Sequence, residues 1–340
     1  MNHAFARLGG EDRRLALTHA ALGLQLQPAI LEKDFWVSWL LGLLFSHPAL
    51  QGQLVFKGGT SLSKVFGVID RFSEDIDLCL RPDFVGVDPE AFDALTSRGK
   101  RDAAVLEMQR LCADKTQAML MPAMEEAIAE VLGPAAQGAW LRYELDADAK
   151  SPIVYFQYPG SGIAGFEYLQ REVKLELGTL TDQQPTGTYP VRPLIPDALP
   201  QEFAGWSAQV TALELQRTFW EKATILHAEY HRPAQQPTPA RYARHYFDMV
   251  RLLAHPRAAR FLAEHDQCAR VVDSKRWVFA RTWARYDLAA PGSFRLVPPD
   301  WRQAALAQDY GTMRPMFLSE PPAFHTLLRE LTQAEGTING

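Results

Sequence analysis

Cysteine is scarce in this sequence: there are three in 340 residues, Cys79, Cys112 and Cys268, none in a C-x-x-C pair or at Cys/His metal spacing. That excludes a disulfide framework and a thiolate zinc site, and leaves the three as small buried hydrophobes. Long apolar runs are missing as well. No stretch reaches the ~18 uncharged apolar residues of a membrane helix, and the opening MNHAFARLGGEDRRLAL lacks the apolar core of a secretion signal. A soluble, cytoplasmic protein with no membrane partner is expected. Repeats and low-complexity tracts are absent, so the chain reads as successive elements. Positive charge is not in excess either: 35 Lys and Arg face 40 Asp and Glu, a net charge of −5. This argues against a protein that coats nucleic acid non-specifically, which needs many cations to neutralise phosphates. Local basic runs remain, from Arg241 to Arg260 and from Arg270 to Arg285, and they read first as solvated helix faces.

What is present is an ordinary globular composition, 47% hydrophobic and 22% charged, long enough for two domains with a core each. PAILEKDFWVSWLLGLLF, from Pro28 to Phe45, is a strongly apolar helix interrupted near its start by Glu32, Lys33 and Asp34. Those three residues either buttress a site or answer the dipole of a helix N-terminus, and the sequence does not choose. Leu54-Val55-Phe56 reads as a buried strand running into Lys57-Gly58-Gly59-Thr60, a tight turn from which a helix starts. Ile76, Leu78 and Leu80 alternate with Asp75, Asp77 and Cys79, the period of a strand. A Met- and Ala-rich helical stretch from Lys100 to Leu132 is interrupted by Pro122. Leu141–Leu145, Ile153–Tyr158 and Arg171–Leu177 then read as strands, expected to be antiparallel neighbours of the Asp75–Asp77 strand. Residues 182–200 hold five prolines, which no helix or central strand tolerates, and mark the expected boundary between domains at 1–195 and 196–340. Beyond it, Phe219, Ala223, Leu226 and Tyr230, then Tyr242, Tyr246, Met249 and Leu253, recur at helical spacing, so the second domain is expected to be a helical bundle.

Three constellations carry chemistry. Gly58-Gly59-Thr60-Ser61 at a helix start can aim backbone N–H groups at a phosphate, with the two hydroxyls as extra donors and Lys57 or Lys64 opposing its charge. A plain turn with a Ser/Thr cap explains the same residues taken alone. Asp75 and Asp77, two apart on a strand, point the same way over a fully apolar opposite face, where adjacent carboxylates are costly unless a cation joins them. In Arg171–Leu177 a third carboxylate, Glu176, faces away from Val173, Leu175 and Leu177, with Glu172 as its rival. Two-metal nucleotidyl transfer needs such a set around Mg²⁺. Histidines such as His227 and His245 have no partner at metal-ligand spacing and are given no chemistry.

LEKDFWVSWLL, FKGGTSLSKVF, RFSEDIDLCL and VKLEL, in this order, followed by FWEKATILH, RYARHYFDMVRLL and DYGTMRPMFLSEPPAFHTLL, resemble the AbiEii/AbiGii type of abortive-infection nucleotidyltransferase toxin over nearly the whole chain. The resemblance implies an α+β fold: a DNA-polymerase-β-like nucleotidyltransferase domain, with a mixed or antiparallel sheet and flanking helices, plus a C-terminal helical domain completing the nucleotide cleft. It implies a type IV toxin–antitoxin function in phage defence, with a cognate antitoxin from the same operon, an NTP substrate, Mg²⁺, and an RNA acceptor such as a tRNA 3′ end. It gives the phosphates to Gly58, Gly59, Thr60 and Ser61, and Mg²⁺ to Asp75 and Asp77. Lys222 takes the place of the lysine that contacts the nucleotide, and Asp248 that of the aspartate in an Arg/Asp motif with Arg244. The expected catalytic set is therefore Asp75, Asp77, Glu176, Lys222 and Asp248, with Lys64, Lys222 and Arg244 added to the nucleotide contacts. The pattern departs from the family in two places. Fourteen residues lie between Thr60 and Asp75, slightly more than in the wider superfamily, and Glu176 stands where Asp is commoner. Read without the family, Lys222 borders the apolar stripe of its helix, and a local Arg244–Asp248 pair explains that motif as well as a nucleotide site does. A protein or small-molecule hydroxyl as acceptor, or a non-catalytic NTP-binding module, are the alternatives.

Overall fold

The computed structural model describes residues 2–340 except 137, 165–169, 181, 202, 207 and 280, and the side chain of Asp197. The chain forms two compact units, Met1–Val65 with Ser73–Leu213, and Phe66–Phe72 with Glu214–Gly340.

The first unit is built on a mixed sheet of β1 (Leu54–Lys57), β2 (Ile76–Leu80), β3 (Leu141–Leu145), β4 (Pro152–Phe156), β5 (Val173–Gly178), β6 (Thr186–Pro190) and β7 (Gln209–Leu213), in the order β3-β4-β5-β2-β1-β7-β6. Alternation fixes which residues face the core: Ile76, Leu78 and Leu80 of β2 and Val173, Leu175 and Leu177 of β5 are buried on one side. Val55, Cys79 and Leu213 form a small apolar cluster of their own. The expectation of antiparallel neighbours for β2 is corrected here. β5 runs parallel to β2, while β3 pairs with β4 and β4 with β5. A parallel pair needs a long crossover. That connection includes α4 (Arg98–Lys115) and α5 (Met121–Leu132), joined by a π turn at Thr116–Leu120. The irregular turn precedes Pro122, which sits in the first turn of α5, where its missing N–H is harmless. The proline-rich stretch supplies the edge strand β6, the position where a sheet tolerates Pro190, and the first unit continues through β7.

Helix α1 (Gly10–Leu24) packs on α2 (Pro28–Ser46), which is buried from Ala29 to Leu44 and packs against β5 and β7. A helix that is apolar all round belongs in a core. Trp36 and Trp39 stack against Tyr158 and Phe156 there. The only charged residues in that helix, Glu32, Lys33 and Asp34, are buried too, so each charge requires a partner.

The second unit is helical: α6 (Leu215–Tyr230), α7 (Arg244–Leu253), α8 (His265–Val278), α9 (Asp300–Thr312) and α10 (Phe324–Asn339), with α6 against α7 and α8, and α10 against α7. His227, fully buried on α6, is a strut: one ring nitrogen meets the Arg285 carbonyl at 3.0 Å and Nδ1 accepts from the Arg295 N–H at 3.1 Å. Burial pushes it down to about 4, which suits a neutral ring. Segment 66–72 belongs to this unit although its neighbours on both sides in sequence lie in the first. It is held by Phe72 N–H to the Met316 carbonyl, Leu318 N–H to the Asp70 carbonyl, and Ser319 Oγ to Asp70.

Candidate active site

In the first unit β1 delivers the chain into α3 (Gly58–Lys64) through a turn that only glycine can make. Gly58 has φ +79°, and a Cβ added there would lie 2.6 Å from the Asp77 Cγ. The Asp77 carboxylate therefore rests directly on the α-carbon of the turn. Lys57 and Asp77 are register partners across the antiparallel β1–β2 ladder, which brings turn and carboxylate together. Gly58→Ala is expected to strain the turn and displace Asp77, a shift of the size that lowers turnover about 100-fold; steady-state kinetics alongside a melting curve read both effects.

The Thr60 and Ser61 side chains are fully buried and engaged within the turn. The Thr60 hydroxyl is bound to the Asp75 carbonyl and to Ser73 Oγ, and Ser61 Oγ donates to the Gly58 carbonyl at 2.9 Å. Both hydroxyls thus shape the turn, and Thr60 fastens it to the residue that opens the carboxylate strand. Lys64 closes α3 and is buried against Asp34. Burial pulls its ammonium below the usual value, and Asp34 opposes that.

Asp75 immediately precedes β2, Asp77 lies within it, and Asp77 is the register partner of Glu176 on β5. Glu172, its rival, lies before β5 and pairs with Arg142 at 3.3 Å. Burial, then the carboxylates of Glu74, Glu176 and Asp77, push Asp75 up to about 6 against the pull of Lys174. The Glu176 carboxylate is turned to Lys174, at 2.5 Å. As the side chains stand, no three His, Cys, Asp or Glu among the described residues gather closely enough to hold an ion. The donor set nonetheless fits a hard cation in type and charge: three carboxylates on or next to adjacent strands, one with its carboxyl raised by burial and by its acidic neighbours, with a lysine as the cation at hand.

The Glu32-Lys33-Asp34 triplet now has partners. Glu32 accepts from the Ser161 N–H at 2.8 Å and faces Arg13; Lys33 Nζ meets Glu74 at 2.5 Å and the Gln170 carbonyl at 2.9 Å; Asp34 takes Lys64 and the Leu194 N–H. None lies in the first turn of α2, so the dipole reading does not apply.

In the second unit Lys222 and Asp248 meet at 2.8 Å, both buried, with His245 Nδ1 3.3 Å from the ammonium. Asp248 does not pair with Arg244. Its two oxygens take Arg71 Nε at 2.7 Å and Nη2 at 2.8 Å, the second shared with Lys222. Burial raises the Asp248 carboxyl, but the two cations outweigh it and hold the group below the usual carboxylate range. Arg71 is the residue that sequence reasoning missed. Its signal was a single arginine among the apolar residues of Phe66-Gly67-Val68-Ile69-Asp70-Arg71-Phe72.

Residues 39–330 match the family model described as nucleotidyl transferase AbiEii toxin, type IV toxin–antitoxin system. No curated protein matches the chain in sequence. Among solved structures the chain is similar to MenT4, a nucleotidyltransferase toxin from Mycobacterium tuberculosis H37Rv, at 17% identity and a TM-score of 0.43, over 96% of this chain and 98% of that one.

Proposed function

The chain belongs to the AbiEii nucleotidyltransferase toxin family of type IV toxin–antitoxin systems, and from that premise we propose that it transfers a nucleotide from an NTP to an RNA end, the 3′-hydroxyl of a tRNA, with Mg²⁺. The observation that carries the reading is the Asp75–Asp77 strand, with Glu176 beside it in register and the Gly58 turn pressed on Asp77.

Asp75, Asp77 and Glu176 would hold the divalent ion, which when bound neutralises the carboxylates and polarises the phosphate under attack. Gly58 and Gly59 offer backbone without side-chain bulk to the triphosphate, and Thr60 and Ser61 keep the turn in that shape. The acceptor oxygen bonds to the α-phosphorus as the bond to pyrophosphate breaks. In the second unit, Arg71 holds segment 66–72 to Asp248 on α7, and Lys222 on α6 meets the same carboxylate. Charge distribution supports an RNA acceptor. The helical unit has 18 Lys and Arg against 14 Asp and Glu, whereas the sheet unit has 17 against 26, so the overall net charge of −5 conceals a basic unit. Family membership implies an antitoxin partner, and no helix among the described residues is long and apolar enough to cross a membrane. We place the protein in the cytoplasm, where tRNA is.

The test is incubation with each labelled NTP, Mg²⁺ and total tRNA, with Asp75→Ala as control. Label on tRNA that Asp75→Ala abolishes is the expected result. Label on protein instead would redirect the acceptor, and NTP binding without turnover would leave a binding module.

A further inference from the structure

Two consecutive residues of the buried helix α2 reach the elements that carry the candidate site, and no chemistry has been assigned to either. Lys33 Nζ meets Glu74, the residue before Asp75, at 2.5 Å, and the Gln170 carbonyl at 2.9 Å, three residues before β5 and its Glu176. Asp34 meets Lys64, the last residue of the helix that the Gly58 turn opens, and its second oxygen accepts the Leu194 N–H at 2.6 Å. Lys33 and Asp34 are each 2% exposed.

Stability does not account for charges in such a place. Desolvating two ions offsets most of their attraction, and apolar residues of similar volume would serve a helix that is otherwise packed on both sides by Trp, Phe and Leu. What a buried ion pair does supply is direction. Each partner has one geometry in which its charge is satisfied, so the strands and helix that bear these partners are fixed relative to α2. Without the tether, Asp75 would be free to retreat from Glu74, Glu176 and Asp77, the neighbours whose repulsion it already experiences.

We propose that Lys33 and Asp34 are positioning residues: Lys33 clamps the starts of the two carboxylate strands through Glu74 and the Gln170 carbonyl, and Asp34 clamps the phosphate turn through Lys64. The clamp rests on the nucleotidyltransferase reading of Asp75, Asp77 and Glu176. It acts through those groups and touches no substrate itself.

The test compares two paired variants with the parent for Mn²⁺ affinity, followed by its electron paramagnetic resonance signal, and for kcat and KM in nucleotide transfer. Lys33→Met/Glu74→Leu removes the contact with little change of volume and no change of net charge. Lys33→Gln/Glu74→Gln removes both charges and keeps a hydrogen bond. The apolar pair is expected to retain the parent's melting temperature within a few degrees, to bind Mn²⁺ at least fivefold more weakly, and to lose tenfold or more in kcat with KM for NTP changed less than threefold. The amide pair is expected to recover both quantities to within threefold of the parent. A folded apolar pair with the parent's Mn²⁺ affinity and kcat overturns the clamp, as does an amide pair as defective as the apolar one. Should the apolar pair not fold, Lys33→Gln/Glu74→Leu, which differs from the amide pair only in lacking the acceptor, takes its place with the same expected losses. A parent that neither binds Mn²⁺ nor transfers a nucleotide instead refutes the transferase reading, and is told apart from failure of the clamp before any variant is made.

Discussion

Asp75→Asn is expected to abolish nucleotide transfer and to stabilise the protein in the same step. The loss of activity follows from removing a negative charge from the set proposed to hold the metal. Charge stabilisation of that kind contributes several kcal/mol to a transition state, about a thousandfold in rate. The gain in stability follows from the burial of Asp75, with Glu74, Glu176 and Asp77 beside it, which lifts its carboxyl from 3.8 to about 6. A folded-state value above the unfolded one means that ionisation opposes folding. The penalty is absent below about pH 4, grows as pH rises, and is complete above about pH 6. Two units correspond to roughly 3 kcal/mol, a ceiling for a group that keeps some solvent, so a gain of about 1–2 kcal/mol at pH 7.5 is expected. Melting curves of parent and variant at pH 4 and pH 7.5 decide the matter: the variant should melt higher at the upper pH and alike at the lower. Mg²⁺ should raise the parent's midpoint and leave that of Asp75→Asn nearly unmoved. A variant less stable than the parent at pH 7.5 would falsify this account of the carboxylate strand.

The second large effect is expected at Asp248, and its direction is the reverse. Its carboxylate is fully buried and answers both Arg71 and Lys222. Asp248→Ala strands two cations in the interior, for a loss of about 3–5 kcal/mol. Lys222→Met should cost much less, because the two-pronged Arg71 contact remains. Since Asp248 sits below the ordinary carboxylate range, its contribution is whole above about pH 4 and is lost only as pH falls through the folded value. Urea titrations at pH 7 separate the variants: a midpoint for Asp248→Ala equal to that of Lys222→Met would remove the ion cluster from the account of stability. Kinetics on Lys222→Met then read whether this lysine also serves the nucleotide, since a raised KM in a stable protein has no structural explanation.

Local pattern made part of this molecule legible in its sequence. Ile76, Leu78 and Leu80 against Asp75 and Asp77 is a period of two, and Val173, Leu175 and Leu177 against Glu176 is another, so strands and outward carboxylates could be read directly. Strand direction could not, because the parallel pairing of β2 with β5 is settled by the long crossover between them. β6 and β7 were hidden by the prolines around them, which are tolerated where they stand because β6 is an edge. The partners of buried charges were the least legible. Lys33 finds Glu74 41 residues away, Asp34 finds Leu194 160 residues away, and Arg71 finds Asp248 177 residues away. Spacing rules reach three or four residues along a helix, so they offered, beside a nucleotide site, an Arg244–Asp248 pair that the structure does not form.

Segment 66–72 is made long before the residues that anchor it. It joins the helix of the glycine turn to the carboxylate strand, yet its anchors, Asp248 and the stretch from Met316 to Ser319, are synthesised long after it. At translation rates of ~5–20 residues per second, the wait for Asp248 alone is about 10–35 s. A nascent chain can complete every strand of the sheet while this link is still untethered. A chain that ends before Asp248 therefore has its turn and carboxylate strand joined by a segment that lacks all of these anchors. Only a chain that extends through Ser319 has every one of these anchors in place.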